Sequence, residues 1–395
     1  MKNRRYMIGV CLAAILTFGS SNGRGQQPSA IPDTVAKIVH QLKQKYQPDH
    51  RISRFDVKIH PLGDQLVICG ETLSAEGKAE LLQRLKSETD YQFLDSLVVL
   101  PDETAKDRSY GIVRISVAQL RRHPDEPHEI VDQALMGSEV RVLKIEHGYW
   151  AFCQLDDQYL GWMTISSLVT GDQQWIEQWR QHDKLIVTAN YGQIWEQPSD
   201  KSVRSVSDVV RGNVLIHRGK KRGWYRVELP DGRVGFIRSS LVAPVDQFRE
   251  TLKARSVNDI LATAYQFIGL PYLWGGRSTK GFDCSGFTQT VFKLNGIELP
   301  RDANMQVKVG QPVALDDSLT NLRPGDLLFF GKDIDHIIHV GIYIGNSQFI
   351  HSDGWVRMNS FKPTDANYSA YRRRGLQAAR RVLGSLMGER SNGGE

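Results

Sequence analysis

The chain has 395 residues, 41% of them hydrophobic and 24% charged, and a formal net charge of +6. That balance excludes a disordered or fibrous protein, and the length fits about two to four globular domains. The basic excess collects near the N-terminus and in Arg372, Arg373, Arg374, Arg380 and Arg381. No Lys/Arg stripe is interleaved with aromatics, which argues against nucleic acid as a partner and leaves an anionic polymer or membrane surface open.

In chain order, residues 1–25 read as an export signal. Lys2, Asn3, Arg4 and Arg5 form a charged start, Tyr6 to Gly19 are mostly apolar, and Ser20-Ser21-Asn22-Gly23 offer small residues for cleavage. The apolar run is too short for a membrane span, although an uncleaved anchor is the alternative. The expected location is therefore periplasmic or otherwise extracytoplasmic, with no stable span once the signal is removed. Cys69, Cys153 and Cys284 remain, too few and too widely spaced for a disulfide framework. Cys69 and Cys153 sit in apolar strand-like runs and are expected to be buried. That leaves Cys284 as the employed thiol.

Residues 30–106 predict helix, strand, strand, helix, strand. Val35 to Leu42 is amphipathic, Ser53 to His60 and Gln65 to Gly70 flank a turn, Ser74 caps a helix from Ala75 to Lys86, and Phe93 to Leu100 closes the module. This small α+β unit resembles accessory domains of the cell envelope. Residues 110–172 and 185–246 form an internal repeat. In each copy a Trp (Trp150, Trp224) is followed eleven residues later by Gly (Gly161, Gly235), then an aromatic (Trp162, Phe236), and soon by Ser-Ser-Leu-Val. Short strands with frequent turns predict two small β-barrels that resemble bacterial SH3-like domains. Residues 255–385 switch to helices followed by antiparallel strands, an α+β pattern, with 386–395 a flexible tail.

The chemistry gathers in this last region. Cys284 follows Gly281-Phe282-Asp283 and opens a helical run. Free N–H groups and the helix dipole there favour a thiolate, which lowers a cysteine pKa from about 8.5 toward roughly 3.5–7.5. His339 and His351 average to position 345, the turn of a predicted hairpin, so they should face each other to within a residue and share one side of the sheet. His339 would take the proton of Cys284 and His351 would fix the His339 tautomer, the logic of covalent acyl transfer. The helix-start N–H and the Tyr272 hydroxyl are candidates to hold the oxyanion. His336, with His339 and His351, could alternatively suggest zinc. Residues three apart on a strand point to opposite faces, so a surface position is the better expectation for His336.

Four ordered motifs carry a family resemblance: Tyr272-Leu273-Trp274-Gly275-Gly276, Phe282-Asp283-Cys284-Ser285-Gly286-Phe287, Pro324-Gly325-Asp326-Leu327 and His339-Val340-Gly341-Ile342-Tyr343-Ile344-Gly345. Together they resemble the NlpC-type cell-wall cysteine peptidases. The resemblance implies a papain-like domain with Cys284, His339 and His351 as the triad, and neither cofactor nor metal. Two SH3-like domains ahead of it are similar to the γ-D-glutamyl-L-diamino acid endopeptidases, which act on peptidoglycan peptides with a free N-terminal L-Ala. In that likeness Asp302 after Arg301 holds the amine, Tyr159 contributes from the first SH3-like domain, and Glu129 occupies the place of an acidic contact. Tyr272 and Ser285 complete the expected substrate contacts. Ala303 stands where that family often has serine, which removes one substrate hydrogen bond. A monomer is expected. The rival readings are a broader hydrolase of polymeric wall and a non-catalytic wall-binding protein.

Overall fold

The computed structural model describes residues 31–383, so the expected export signal and the expected tail beyond residue 385 lie outside the described residues. The chain divides into two compact units at Lys106 and Asp107. In the first, α1 (Asp33–Tyr46) precedes β1 (Phe55–Leu62), which pairs antiparallel with β2 (Gln65–Thr72). A second helix, α2 (Ala75–Glu88), crosses over so that β3 (Gln92–Val99) runs parallel to β2. Ser74 caps α2 as the sequence predicts, its hydroxyl accepting from the Gly77 N–H at 2.8 Å. Val35, Ile38 and Leu42 of α1 and Leu81 and Leu85 of α2 meet Phe55, Leu66, Ile68 and Leu97 in one core.

The second unit begins with two seven-stranded sheets. The first contains β4 (Tyr110–Val113), β5 (Val117–Arg121), β6 (Ile130–Leu135), β7 (Glu139–Glu146), β8 (Trp150–Gln154), β9 (Leu160–Thr164) and β10 (Leu168–Gly171). After α3 (Gln173–Gln181) come β11 (Lys184–Val187), β12 (Tyr191–Trp195), β13 (Ser205–Val210), β14 (Val214–Lys221), β15 (Trp224–Glu228), β16 (Val234–Arg238) and β17 (Val242–Pro244). The orders are β10-β4-β7-β8-β9-β5-β6 and β17-β11-β14-β15-β16-β12-β13, the same topology strand for strand. The repeated glycine has a packing reason. A Cβ on Gly161 would stand 3.1 Å from Leu120, and one on Gly235 would stand 2.5 Å from Ile194, the equivalent residue of the strand crossing behind.

Two helices, α4 (Val245–Leu252) and α5 (Val257–Tyr265), lead to the ribbon β18 (Arg277–Ser278) and β19 (Gly281–Phe282). Then follow α6 (Cys284–Lys293), α7 (Ala303–Gln306), β20 (Gln311–Val313), β21 (Leu327–Gly331), β22 (Ile337–Gly345), β23 (Gln348–Asp353), β24 (Trp355–Ser360), α8 (Ala370–Gly375) and β25 (Leu376–Arg381). The six-stranded sheet runs β20-β25-β21-β22-β23-β24, antiparallel throughout. Phe287, Val291 and Phe292 of α6 pack on Phe329, Val340, Ile342 and Ile350. Burying each such side chain is worth about 1.5–3 kcal/mol, enough to hold the helix start against β22. The architecture is α+β, a papain-like helix-on-sheet domain following two SH3-like modules. Among the described residues no helix is long and apolar enough to cross a membrane.

Candidate active site

The N-cap of α6 is Asp283. Its Oδ1 accepts from the Gly286 N–H at 2.6 Å, and its Oδ2 accepts from the Gly275 N–H at 3.0 Å. Cys284 occupies the first helical position, is 8% exposed, and keeps an N–H with no intrahelical partner. The expected low-pKa thiolate is not what this setting produces. Burial, reinforced by the Asp283 carboxylate, pushes the thiol up to about 12, while the N–H groups of Val340 and Ser285 and the Arg301 guanidinium pull the other way. The carboxylate that organises the helix start thus opposes the dipole at the next residue. A thiol in that setting would need a base to act as a nucleophile.

The candidate base, His339, is on β22. The hairpin closes through Asn346 and Ser347, both with positive φ, and its register pairs Ile342 with Ile350. His351 therefore lies opposite Gly341, not His339, which corrects the expected facing pair by two positions. Both histidines still share one face of the sheet. Gly341 makes the diagonal approach possible, because a Cβ there would stand 3.1 Å from the His351 Cβ. The rings meet edge to face, with His339 Nε2 and His351 Nδ1 2.8 Å apart. His351 Nε2 lies 2.9 Å from Asn359 Oδ1, and Asn359 Nδ2 donates to the Asn367 carbonyl at 2.7 Å. That last bond orients the Asn359 amide and assigns the tautomers. His351 donates from Nε2, accepts at Nδ1 from His339 Nε2–H, and leaves His339 Nδ1 with a free lone pair. Burial holds both imidazoles neutral. It presses His339 well below its usual range, helped by His351, and His351 to about 4 against the raising pull of Asn359.

The remaining expected residues fall into four groups. Tyr272 is pinned by its N–H to the Gly354 carbonyl at 2.9 Å. Its phenol ionises only well above the ordinary value, owing to burial and the nearby Cys284 and Asp283, so it stays a proton donor beside the thiol. The Arg301 and Ser285 side chains turn inward. Arg301 is 1% exposed and donates to Asp132 at 2.6 Å, to both oxygens of Asp283 at 3.1 and 2.6 Å, and to the Ser285 hydroxyl at 3.0 Å. The Ser285 hydroxyl in turn donates to Asp283 Oδ1 at 3.3 Å. Both side chains position the N-cap of α6 from within. Tyr159 and Asp302 are brought together, the hydroxyl donating to Asp302 Oδ2 at 3.1 Å. Asp302 holds the N-cap place of α7 by backbone, but its carboxylate makes no cap bond. Glu129 stands a step further out, paired with Arg122 at 2.6 Å and accepting from Trp274 Nε1–H at 2.7 Å. His336 lies before β22 with a mostly exposed ring bonded to Asp333 at 2.6 Å. Among the described residues no group of three or more His, Cys, Asp or Glu is arranged to hold a metal.

Two functional residues escaped sequence reasoning. Asn359 pairs in register with Phe349, two places along β24 from Arg357, the residue facing His351. The one available signal was the alternation that puts Arg357 and Asn359 on the same side. Asp132 is fully buried on β6 and binds Arg301, a contact that no local pattern announces.

A thiol at a helix start, a buried His–His–Asn relay on the adjoining sheet and a donor-lined cap define a papain-like cysteine peptidase. The model of the NlpC/P60 family matches residues 269–376, and that of the bacterial dipeptidyl-peptidase Sh3 domain matches residues 120–168. The chain belongs to the NlpC/P60 family. It is 45% identical over 143 residues to a gamma-D-glutamyl-L-lysine dipeptidyl-peptidase of Bacillus subtilis, covering 35% of this chain and 44% of that relative, less than half its length. A Bacillus cereus protein of the same name is 32% identical over 235 residues, covering 57% of this chain and 68% of the relative. The crystal structure of an NlpC/P60 family protein from Bacillus cereus superposes with a TM-score of 0.59 at 28% identity, over 70% of this chain and 100% of that one.

Proposed function

We propose that the protein is an extracytoplasmic cysteine endopeptidase that hydrolyses the γ-D-Glu–diamino acid bond of peptidoglycan stem peptides bearing a free N-terminal L-Ala. Cys284 passes its proton to His339 Nδ1 and attacks the γ-carbonyl carbon. The Cys284 N–H and the Tyr272 hydroxyl stabilise the oxyanion. His339 then protonates the departing amine, and the thioester remains on Cys284. Water, deprotonated by His339, releases the acyl group and restores the thiol. His351 and Asn359 keep the His339 lone pair turned toward sulfur through both halves.

The observation that carries the specificity is the Tyr159–Asp302 hydrogen bond, which sets a carboxylate at the meeting of the first SH3-like module and the catalytic domain. A terminal ammonium offers that carboxylate a charge-assisted hydrogen bond that an acylated terminus cannot make. The names borne by the two Bacillus relatives support the same substrate class. The test compares L-Ala-γ-D-Glu-diaminopimelate with its N-acetyl form. Cleavage should favour the free amine by about a hundredfold or more and vanish in Cys284→Ala. Equal cleavage of both peptides removes the amine clamp and leaves the broader wall hydrolase. Cleavage surviving in Cys284→Ala removes the thiol mechanism.

A further inference from the structure

A cavity of about 410 Å³ opens where the second SH3-like module, α4, α5 and the C-terminal end of α6 meet, and none of the residues around Cys284 lines it. Its apolar wall is Val187, Ala243, Phe248, Ala262 and Leu294, and two arginines are set into that wall, Arg211 after β13 and Arg255 before α5. Arg255 is tethered to Asp259 and to the Thr251 hydroxyl, each at 3.2 Å. Arg211 donates to the neutral side chain of Gln266 and lies 5.6 Å over the Phe267 ring. Among the described residues no carboxylate pairs with Arg211, and burial pulls its ionisation down with nothing acidic to raise it. The Nε atoms of both arginines are buried and have no hydrogen-bond partner.

A guanidinium partly drawn out of water without a counter-charge is disfavoured, and an orphaned buried N–H adds to that cost. Asp259 balances Arg255, so the cavity keeps one uncompensated positive charge. The complementary occupant carries one negative charge, in a planar form that a guanidinium fork can take up. It also carries an apolar body to cover the wall. The volume lies in the range of small-molecule sites, about 300–1,000 Å³. We propose that this cavity binds a small monocarboxylate with an apolar body, Arg211 receiving the carboxylate. The site is independent of the peptidase reading above.

Calorimetric titration of the full chain with N-acetyl-L-leucine and with N-acetyl-L-leucinamide tests it. Acetylation keeps the probe away from the amine-binding end near Asp302. The acid should bind one-to-one and the amide at least tenfold more weakly. Arg211→Gln should weaken the acid at least tenfold with a thermal midpoint no lower than the parent's. Should Arg211→Gln fail to fold, Ala262→Leu fills the cavity from its apolar wall and must produce the same loss. No binding of the acid, equal binding of acid and amide, or undiminished binding in the folded variants overturns the proposal.

Discussion

β9 and β16 are the same strand in two copies of one module, and the residue two places before each repeated glycine shows how the copies diverge. In the first copy it is Tyr159, 4% exposed, which reaches Asp302 of the catalytic domain. In the second it is Arg233, which turns back on its own module, to Asp231 at 2.8 Å and the Val206 carbonyl at 2.7 Å. Four places before the glycine both copies carry aspartate. Asp157 accepts from Arg277 at 2.8 Å and Gln289 at 3.0 Å, both in the catalytic domain, whereas Asp231 pairs with Arg114 and Arg233. On β6, Asp132 anchors Arg301; its counterpart on β13, Ser207, bonds the neighbouring Asp208 carbonyl. Strand order is retained while the polar edge is reassigned. Among the described residues, the first copy and not the second supplies buried charge to the candidate site around Cys284.

The largest test of that contrast is Arg301→Met. It leaves Asp132 and Asp283 buried without their shared counter-charge, which should cost about 3–5 kcal/mol in denaturant unfolding. Because Asp283 caps the helix that starts at Cys284, kcat in the folded fraction should fall by about a hundredfold. An unchanged kcat would show that the first module supports the fold but not the nucleophile.

The pH profile separates the relay from both modules. Protonated His339 cannot accept the thiol proton, so activity needs both imidazoles neutral. Their folded ionisation lies below the ordinary value of about 6.5, with His351 at about 4. Hence kcat/KM should stay level as pH falls through about 6.5 and decline only nearer 4. Stability has the same sign. Between about 6.5 and 4 the unfolded chain takes up protons that the folded one refuses, so stability is full above that window and drains within it. The groups that shift these rings, Asn359, Arg372, Arg357 and Asp353, all belong to the catalytic domain. The acid limb should therefore be the same in Tyr159→Phe. A limb at the ordinary histidine value would break the buried-relay account.

Tyr159→Phe itself should act on binding. It removes one hydrogen bond to a charged group, so KM for the free-amine peptide should rise by about tenfold with kcat nearly constant. A fall in kcat instead would place Tyr159 in the chemistry and bring the first module closer to Cys284 than the contrast assumes.

Much of this was legible in the residues themselves. Cys284 reads as the start of a helix, the Trp-to-Gly spacing reads as a repeated module, and two histidines flanking a turn read as one face of a hairpin. What was hidden depends on tertiary register and burial. Asn359 joins the relay only once a third strand is laid beside His351. Asp132 looks like an ordinary strand acid until Arg301 arrives from 169 residues away. The thiol's upward shift follows from burial and the adjacent cap, which outweigh the helix-start effect that sequence suggests.

The smallest expected effect is at the position equivalent to Tyr159 in the second copy. Arg233 is 42% exposed, and its less exposed partner Asp231 keeps Arg114 at 2.8 Å when Arg233 is removed, so the loss should be about 0–1 kcal/mol. Arg233→Ala should leave kcat/KM for the free-amine peptide within about twofold of the parent, because the cation bonds only its own module and the loss is screened by water. Measured beside Tyr159→Phe, the two variants ask one question of one strand in two settings. A tenfold rise in KM for Arg233→Ala would mean that the second module's edge also meets substrate, and the division between a catalytic and a non-catalytic copy would fail.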